Sequence, residues 1–127
     1  MKKAIRTEHA PAAIGPYSQA VDTGDLVFVS GQVPVVPGSG QIEASDIAGQ
    51  TRQSLENVKA ILHAAGLALD DVVKATVFLQ SMEDFKAMNT VYAEFFAETP
   101  PARAAVEVAA LPLGALVEIE VLARRRV

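Results

Sequence analysis

The sequence predicts a single α+β domain, spanning residues 1–127, in which two helices cover one face of a sheet. The chain length lies within the usual range for one domain, and half of the residues are apolar, which is enough for a core. Apolar residues recur with a period near 3.6 in two segments and alternate with polar residues in others. The predicted order is strands, helix, strand, helix and two strands, with no internal repeat.

The N-terminal part contains a predicted strand between two loops. Residues 10–17 hold two prolines and a glycine, which favours an irregular loop over a helix. Residues 26–31 form a short apolar run after turn-forming residues, which predicts a strand. Residues 34–41 include two prolines and two glycines, so we interpret them as a second loop.

The helical period begins at Ser45. Ser45 or Asp46 can accept a hydrogen bond from an unpaired N–H group at the start of the helix, and Gly66 suits the position just after its end. One face of the predicted helix is mainly apolar, and the opposite face is polar and includes His63. The apolar face comprises Ile47, Thr51, Ser54, Leu55, Val58, Ile61, Leu62 and Ala65.

The second half of the chain alternates strand, helix and two strands. Residues 73–80 alternate apolar and polar side chains and are predicted to form a strand. A second helix is predicted to begin near Ser81 and to end before the two prolines at 100 and 101. Its buried stripe is predicted to consist of Phe85, Met88, Val91 or Tyr92, Phe95 and Phe96.

Two strands are predicted at the C-terminal end, over residues 102–108 and 115–123. We expect them to pair as a hairpin with one apolar face and one charged face. Two helices cover only one face of a sheet, so the other face must meet solvent or another subunit.

Composition excludes several classes of protein. Without cysteine there is no disulfide, thiolate nucleophile or cysteine zinc site, and the two histidines lack metal-ligand spacing. The net charge of −4 argues against nucleic acid as a partner, and we interpret the arginine run 124–126 as a solvated tail. No apolar stretch is long enough to span a membrane and no signal peptide is evident, so we expect a soluble, cytoplasmic protein.

Arg103 and Glu118 are the strongest candidates for chemistry because each lies among apolar neighbours on a predicted strand. A guanidinium presents a planar fork of donors that matches a carboxylate. That carboxylate belongs either to a substrate or to Glu107 or Glu118. A cross-strand ion pair, worth about 0.2–1 kcal/mol, is the commoner arrangement.

Four other positions each have a structural and a functional interpretation. Tyr17 either packs beneath its loop or covers a ligand pocket. Ser30 and Gly31 either mark a turn or bring backbone close to a ligand, and Asn89 interrupts an apolar stripe as a structural amide by default. Dinucleotide, P-loop, zinc-protease and nucleophile-elbow motifs are all missing from the sequence.

Three segments together resemble the reactive-intermediate deaminase family, also called the RidA or YjgF family. They are APAAIGPYSQA at residues 10–20, QSLENVKAIL at 53–62, and PARAAV at 101–106 followed by VEIE at 117–120. The resemblance covers essentially the whole chain. It implies a fold like that of bacillus-type chorismate mutase, with a mixed sheet and two helices on one face, and a homotrimer with a site in each cleft between subunits.

The resemblance also implies an activity without cofactor or metal. Members with the arginine are hydrolases of 2-imino acids and their enamine tautomers, such as 2-aminoacrylate, which they convert to 2-keto acids and ammonia. By this resemblance Arg103 holds the substrate carboxylate and Glu118 positions the attacking water. Tyr17 closes over the substrate. The remaining implied site residues are Ser30, Gly31 and Asn89, which line the cleft, and Ala104 and Ala105, whose backbone binds the imine nitrogen.

One position departs from the family, and two other functions remain open. Many relatives carry cysteine where this chain has Ala105, so any thiol-dependent property is absent here while hydrolysis by Arg103, Glu118 and water is expected to remain. The alternative functions are a non-catalytic holdase chaperone or small-molecule-binding regulator, and an endoribonuclease. An exposed apolar patch on the assembly would favour the first, while the acidic pI weighs against the second.

Overall fold

A computed structural model describes residues 2–126 and places two helices on one face of a six-stranded sheet. The predicted architecture of two helices on a mixed sheet is therefore confirmed. The strands are β1 (Lys3–Ile5), β2 (Ala20–Asp22), β3 (Leu26–Gln32), β4 (Val35–Val36), β5 (Gln41–Ile42), β6 (Val72–Leu79), β7 (Ala102–Glu107) and β8 (Val117–Arg124). The α-helices are α1 (Ile47–Ala64) and α2 (Phe85–Phe95).

The main sheet has the strand order β1-β2-β3-β8-β6-β7. All neighbours are antiparallel except β6 and β7, which are parallel because α2 carries the chain back from the end of β6 to the start of β7. The two short strands β4 and β5 form a separate hairpin, so the interpretation of residues 34–41 as a loop is corrected at the two ends of that segment.

Both ends of α1 follow the sequence signals. The Asp46 carboxylate accepts a hydrogen bond of 3.0 Å from the N–H of Gly49, which satisfies a donor that the helix itself leaves unpaired. Gly66 has a φ of 78°, and the N–H of Leu67 donates to the carbonyl of Leu62, so the helix ends in a glycine-dependent turn. A 3-10 turn at Met82–Asp84, capped by the Ser81 hydroxyl, precedes α2.

The core lies between the two helices and the sheet face beneath them, which we call the helix face. Alternation along β8 directs Val117, Ile119 and Val121 into this core, while Glu118 and Glu120 point to the opposite side, which we call the open face. The open face also carries Phe28 on β3.

The prediction that the last two strands pair as a hairpin is wrong. β6 lies between β7 and β8 and pairs with both, so the last two strands are not neighbours. The expected alternation of β6 also breaks at its start. A bulge between Val72 and Lys74 buries Val72 and leaves Val73 exposed, whereas the later positions alternate as predicted.

The arginine run near the C-terminus is not a free tail. The guanidinium of Arg125 forms an ion pair with Asp22 on β2, and that of Arg126 lies 2.7 Å from the carboxylate of Asp71. These pairs fasten the end of β8 to β2 and to the 3-10 turn that leads into β6. The interpretation as a solvated tail is corrected for these two residues.

Candidate active site

A cavity of about 710 Å³ opens beside the end of β3 and the start of β8. Four of the site residues predicted from the sequence line it. These four are Tyr17, Ser30, Gly31 and Glu118. The rest of its lining is almost entirely apolar and consists of Pro11, Ala12, Ile14, Val33, Val35, Pro37, Gly40, Pro112 and Leu113. A single partly buried carboxylate in an apolar cavity is an arrangement typical of a binding or catalytic site.

Glu118 is the acidic residue that lines this cavity. Burial raises the pKa of its carboxyl above the ordinary value of 4.5, and the negative charge of Glu120, two residues along β8, raises it further. A carboxyl with a raised pKa is a better proton acceptor at neutral pH than an ordinary glutamate. The carboxylate is therefore suited to accept a proton from water.

Gly31 makes the room that the Glu118 carboxylate occupies. A Cβ atom at position 31 would lie 2.0 Å from Oε2 of Glu118 and 2.9 Å from its Cδ. Both distances are far below van der Waals contact. The observed position of the Glu118 carboxylate therefore depends on glycine at position 31.

The loop that carries Tyr17 is tied to the sheet by two polar side chains. The Ser30 hydroxyl donates to the carbonyl of Ser18 at 2.6 Å, so Ser30 lines the cavity and also holds the loop. The buried amide of Gln19 donates to the carbonyl oxygens of Thr7 (3.1 Å), Ala10 (3.3 Å) and Pro11 (2.8 Å) and accepts from the N–H of Thr7 (2.7 Å). These bonds fix the loop's course past the cavity.

Tyr17 is half exposed, at 50% of the residue's surface area. The ring packs beside Gly15, and a Cβ atom on Gly15 would lie 3.5 Å from it. The backbone N–H of Tyr17 donates to the Gly15 carbonyl at 2.8 Å. Its hydroxyl lies 3.5 Å from the N–H of Ile14, a long separation for a hydrogen bond. Tyr17 therefore meets both interpretations: it packs against its own loop and it lines the cavity.

Arg103 is held by three side chains of α2 on the helix face. Its Nη1 donates to Oδ1 of Asn89 at 2.7 Å, and its guanidinium carbon lies 4.7 Å from the centroid of the Tyr92 ring and 5.5 Å from that of Phe85. Cation–π contacts and the amide keep the planar group in one orientation. Within residues 2–126 its remaining nitrogens have no acceptor, so they are available to a ligand.

Arg103 and Glu118 do not form the cross-strand ion pair considered above. Arg103 is in register with Ala75 of β6 and Glu118 with Phe78, an odd number of residues apart, so the two side chains point to opposite faces. Glu107, the other possible partner, accepts instead from the N–H of Met82 at 2.8 Å. One chain therefore holds Arg103 and Asn89 on the helix face, and Glu118 with Tyr17 on the other side.

The two alanines of β7 divide between the faces. Ala105 packs against the core on the helix face, whereas Ala104 is exposed on the open face beside Thr76. Their strand lies at the edge of the sheet, so the backbone groups on its outer side lack a neighbouring strand.

Sequence reasoning missed the supporting residues of both groups. Gln19, Phe85 and Tyr92 act through contacts with residues distant in sequence. The sequence pattern placed Phe85 and Tyr92 in the buried stripe of the second helix but gave no sign of their contact with Arg103. Leu113, which lies between the two predicted C-terminal strands and received no prediction, also lines the Glu118 cavity.

The family model described as Endoribonuclease L-PSP matches residues 7–125 of the chain. The chain belongs to this family, which includes the RidA and YjgF proteins. The family resemblance in the sequence is confirmed. A 2-iminobutanoate/2-iminopropanoate deaminase of Escherichia coli K12 is 54% identical over 129 residues, which cover 99% of this chain and 100% of that protein. This relative supports the predicted enzyme class.

Two further relatives extend the family comparison. A RutC family protein of Pyrococcus horikoshii is 57% identical over 97% of this chain and 98% of its own length. The crystal structure of Escherichia coli TdcF with bound serine has a TM-score of 0.94 at 51% identity, and covers 98% of this chain and 99% of that one. The crystal structure of the Escherichia coli YjgF gene product also has a TM-score of 0.94, at 54% identity with the same coverage.

The structure gives two further observations on cofactors and membranes. Between residues 2 and 126, no cluster of three or more histidine, aspartate or glutamate side chains is placed to hold a metal ion. No helix in the described part of the chain is long and apolar enough to cross a membrane.

Proposed function

We propose that this family member is a cytoplasmic hydrolytic deaminase of reactive 2-imino acids and their enamine tautomers, such as 2-aminoacrylate. The products are a 2-keto acid and ammonia. The proposal rests on two complementary groups. The Arg103 guanidinium has nitrogens that no described residue engages, and the Glu118 carboxyl has a raised pKa in an apolar cavity. Relatives at 54–55% identity that are named 2-iminobutanoate/2-iminopropanoate deaminases support it.

In the proposed reaction Arg103 binds the substrate and Glu118 activates water. The free nitrogens of Arg103 form hydrogen bonds with both oxygens of the substrate carboxylate, which fixes C2 in position. The enamine takes a proton at its terminal carbon to become the iminium ion, whose C2 is electrophilic without any cofactor or metal. Glu118 takes a proton from water as the water oxygen bonds to C2.

The collapse of the resulting carbinolamine completes the reaction. The proton held by Glu118 passes to the amino nitrogen, and the C–N bond breaks as the C2 hydroxyl becomes a carbonyl. The hydroxyl proton passes to the Glu118 carboxylate and from there to the departing ammonia, which leaves as ammonium. The raised pKa of Glu118 suits both transfers, because the same group must accept and then return a proton. β7 lies at the edge of the sheet, and in this proposal an outward-facing backbone group of the Ala104–Ala105 segment binds the nitrogen.

We propose further that the active site is shared between subunits of a homotrimer. Arg103 and Glu118 point to opposite faces of the sheet in one chain, so a site that uses both needs a second copy. The open face exposes apolar side chains that an interface would cover, including Phe28 (46% exposed) and Val106 (42%). The serine bound to TdcF supports a site for a small carboxylate.

The test follows the decay of freshly generated 2-aminoacrylate and the formation of pyruvate. Wild-type protein should accelerate both, Arg103→Ala should lose productive binding, and Glu118→Ala should keep binding but slow turnover about 10²–10⁴-fold. Circular dichroism of each variant controls for folding. Full activity in either variant would remove the role assigned to that residue, and decay no faster than buffer with wild type would refute the deaminase.

The endoribonuclease named in the family description is the second candidate. Two features weigh against it. The chain carries a net charge of −4, and Arg125 and Arg126 of its basic run are already engaged by Asp22 and Asp71. An RNA cleavage assay under the same conditions separates the two activities.

A further inference from the structure

Leu113 has a backbone conformation that leucine rarely adopts. It lies in the 3-10 turn Pro112–Gly114 between β7 and β8, with φ of 59° and ψ of 21°. Leu113 is the one residue other than glycine with positive φ in the part of the chain that the structure describes. The left-handed region is unfavourable for leucine because its Cβ crowds the following carbonyl oxygen.

Packing against the described residues offsets little of this strain. The Leu113 side chain is 66% exposed, and the left-handed Gly114 that follows shows that glycine suits this turn. Strained residues that the local structure does not require are concentrated at binding sites. We therefore expect the Leu113 side chain to contact a group outside its own turn.

The Leu113 side chain lines the Glu118 cavity. Ile14, from the loop tied down by Gln19, lines the same cavity and is 87% exposed. Two large apolar side chains from loops a hundred residues apart thus border the cavity that holds the catalytic carboxylate. Neither is needed to bind a carboxylate or to activate water, but each can contact an apolar group.

The cavity also has room beyond the reacting atoms. At about 30 Å³ for each water, a volume of about 710 Å³ would hold roughly twenty waters. 2-Iminopropanoate has six non-hydrogen atoms. A substrate with its C2 near Glu118 and its carboxylate on Arg103 of a second copy would therefore have space, on the side of this cavity, for a larger side chain between Leu113 and Ile14.

We propose that Leu113 is a specificity-determining residue whose side chain contacts the side chain of the substrate. Through this contact the enzyme favours 2-imino acids with an apolar side chain of several carbons over the three-carbon substrate. The inference rests on the proposed deaminase function. The strained backbone directs the leucine toward the substrate, and a relaxed glycine at the same position would not provide the contact.

The experiment compares two imines that an amino-acid oxidase generates in the assay, from leucine and from alanine. For Leu113→Ala and Leu113→Gly, kcat/KM for the six-carbon imine should fall about tenfold, while the value for the three-carbon imine stays within about twofold. The alanine variant keeps the backbone strain and the glycine variant removes it, so a shared effect belongs to the side chain. Val73→Ala, which replaces an apolar residue of similar type outside the cavity, is the matched control.

A binding measurement makes the outcome independent of turnover. By calorimetry, wild type should bind the leucine-derived keto acid more tightly than pyruvate, and both Leu113 variants should lose that difference. An unchanged substrate ratio in active variants, or an equal loss for both substrates, overturns the role of Leu113 and leaves the deaminase standing. If the wild-type protein is inactive on both imines, the proposed deaminase function is overturned. The calorimetric comparison of the two keto acids then tests the role of Leu113 without reference to turnover.

Thermal unfolding provides the remaining readout. Leu113→Gly should not lower the melting temperature, because the exposed side chain contributes little packing and glycine relieves the left-handed strain. A melting temperature well below that of wild type would show that the leucine is structural, and would overturn the inference.

Discussion

Replacing Gly31 by alanine should disable Glu118 without unfolding the protein. The new Cβ would lie 2.0 Å from Oε2 of Glu118, 2.9 Å from Cδ and 3.2 Å from Cγ. Because non-bonded heavy atoms settle at about 3.5–4.0 Å, the carboxylate must move by roughly 1.5 Å. The backbone at Gly31 is not left-handed, so alanine adds no backbone strain there.

The displacement should affect catalysis far more than stability. Glu118 lines an open cavity, so its carboxylate can rotate away at a cost of about 1 kcal/mol. A misplacement of about 1 Å in a catalytic group can cost about 10²-fold in rate. We therefore expect kcat to fall about 10²-fold or more while the melting temperature changes by only a few degrees.

The assay compares steady-state imine hydrolysis by wild type, Gly31→Ala and Gly38→Ala. The last is the matched control, because a Cβ at Gly38 would meet nothing within 4 Å. Glu118→Gln gives the rate without the carboxylate, and Gly31→Ala should approach it. A folded Gly31→Ala enzyme with wild-type kcat would refute the reasoning, and so would a variant that fails to fold.

Three further predictions concern charged groups. Arg103→Lys should raise KM about 10–100-fold with a smaller change in kcat, because an ammonium group cannot form the paired hydrogen bonds of a guanidinium. Since burial and then Glu120 raise the pKa of Glu118, activity should fall as pH drops through that raised value, and Glu120→Gln should move this acid limb of the kcat/KM profile to lower pH. The hydrogen bond from Arg125 lowers the pKa of Asp22, so Asp22→Asn should cost about 0.5–1 kcal/mol in urea unfolding at neutral pH. The difference should be complete above about pH 5 and disappear as pH falls through the lowered pKa.

The helices were predictable because their determinants are local. The 3.6-residue period of α1 fixes which side chains are buried, and Leu55, Val58 and Ile61 are fully buried as that period requires. Asp46 and Gly66 act on backbone groups within a few residues of themselves. Such signals do not depend on where the rest of the chain lies.

The strand order was not predictable in the same way. Alternation shows which side chains share a face but not which strands are neighbours, so β7 and β8 were wrongly paired. The succession of β6, α2 and β7 did contain a usable signal, because a strand, a helix and a strand in sequence commonly form a parallel pair. Applying it would have separated β7 from β8.

The candidate site was predictable in residue type but not in arrangement. The family segments single out Arg103 and Glu118, yet their opposite orientation depends on how β7 and β8 each register with β6. The contact between Arg103 and Asn89 likewise depends on the packing of α2 over β7. Neither relation is encoded by residues near one another in the sequence.

The opposite orientation of Arg103 and Glu118 has a consequence for mixed populations of subunits. Under the proposed arrangement each chain supplies two half-sites to two different partners. A chain lacking Arg103 and a chain lacking Glu118 would each be inactive alone, yet every mixed trimer would contain one interface with both groups intact. Two defective gene copies would then complement each other, whereas dilution to separated chains would abolish activity without damaging any single chain.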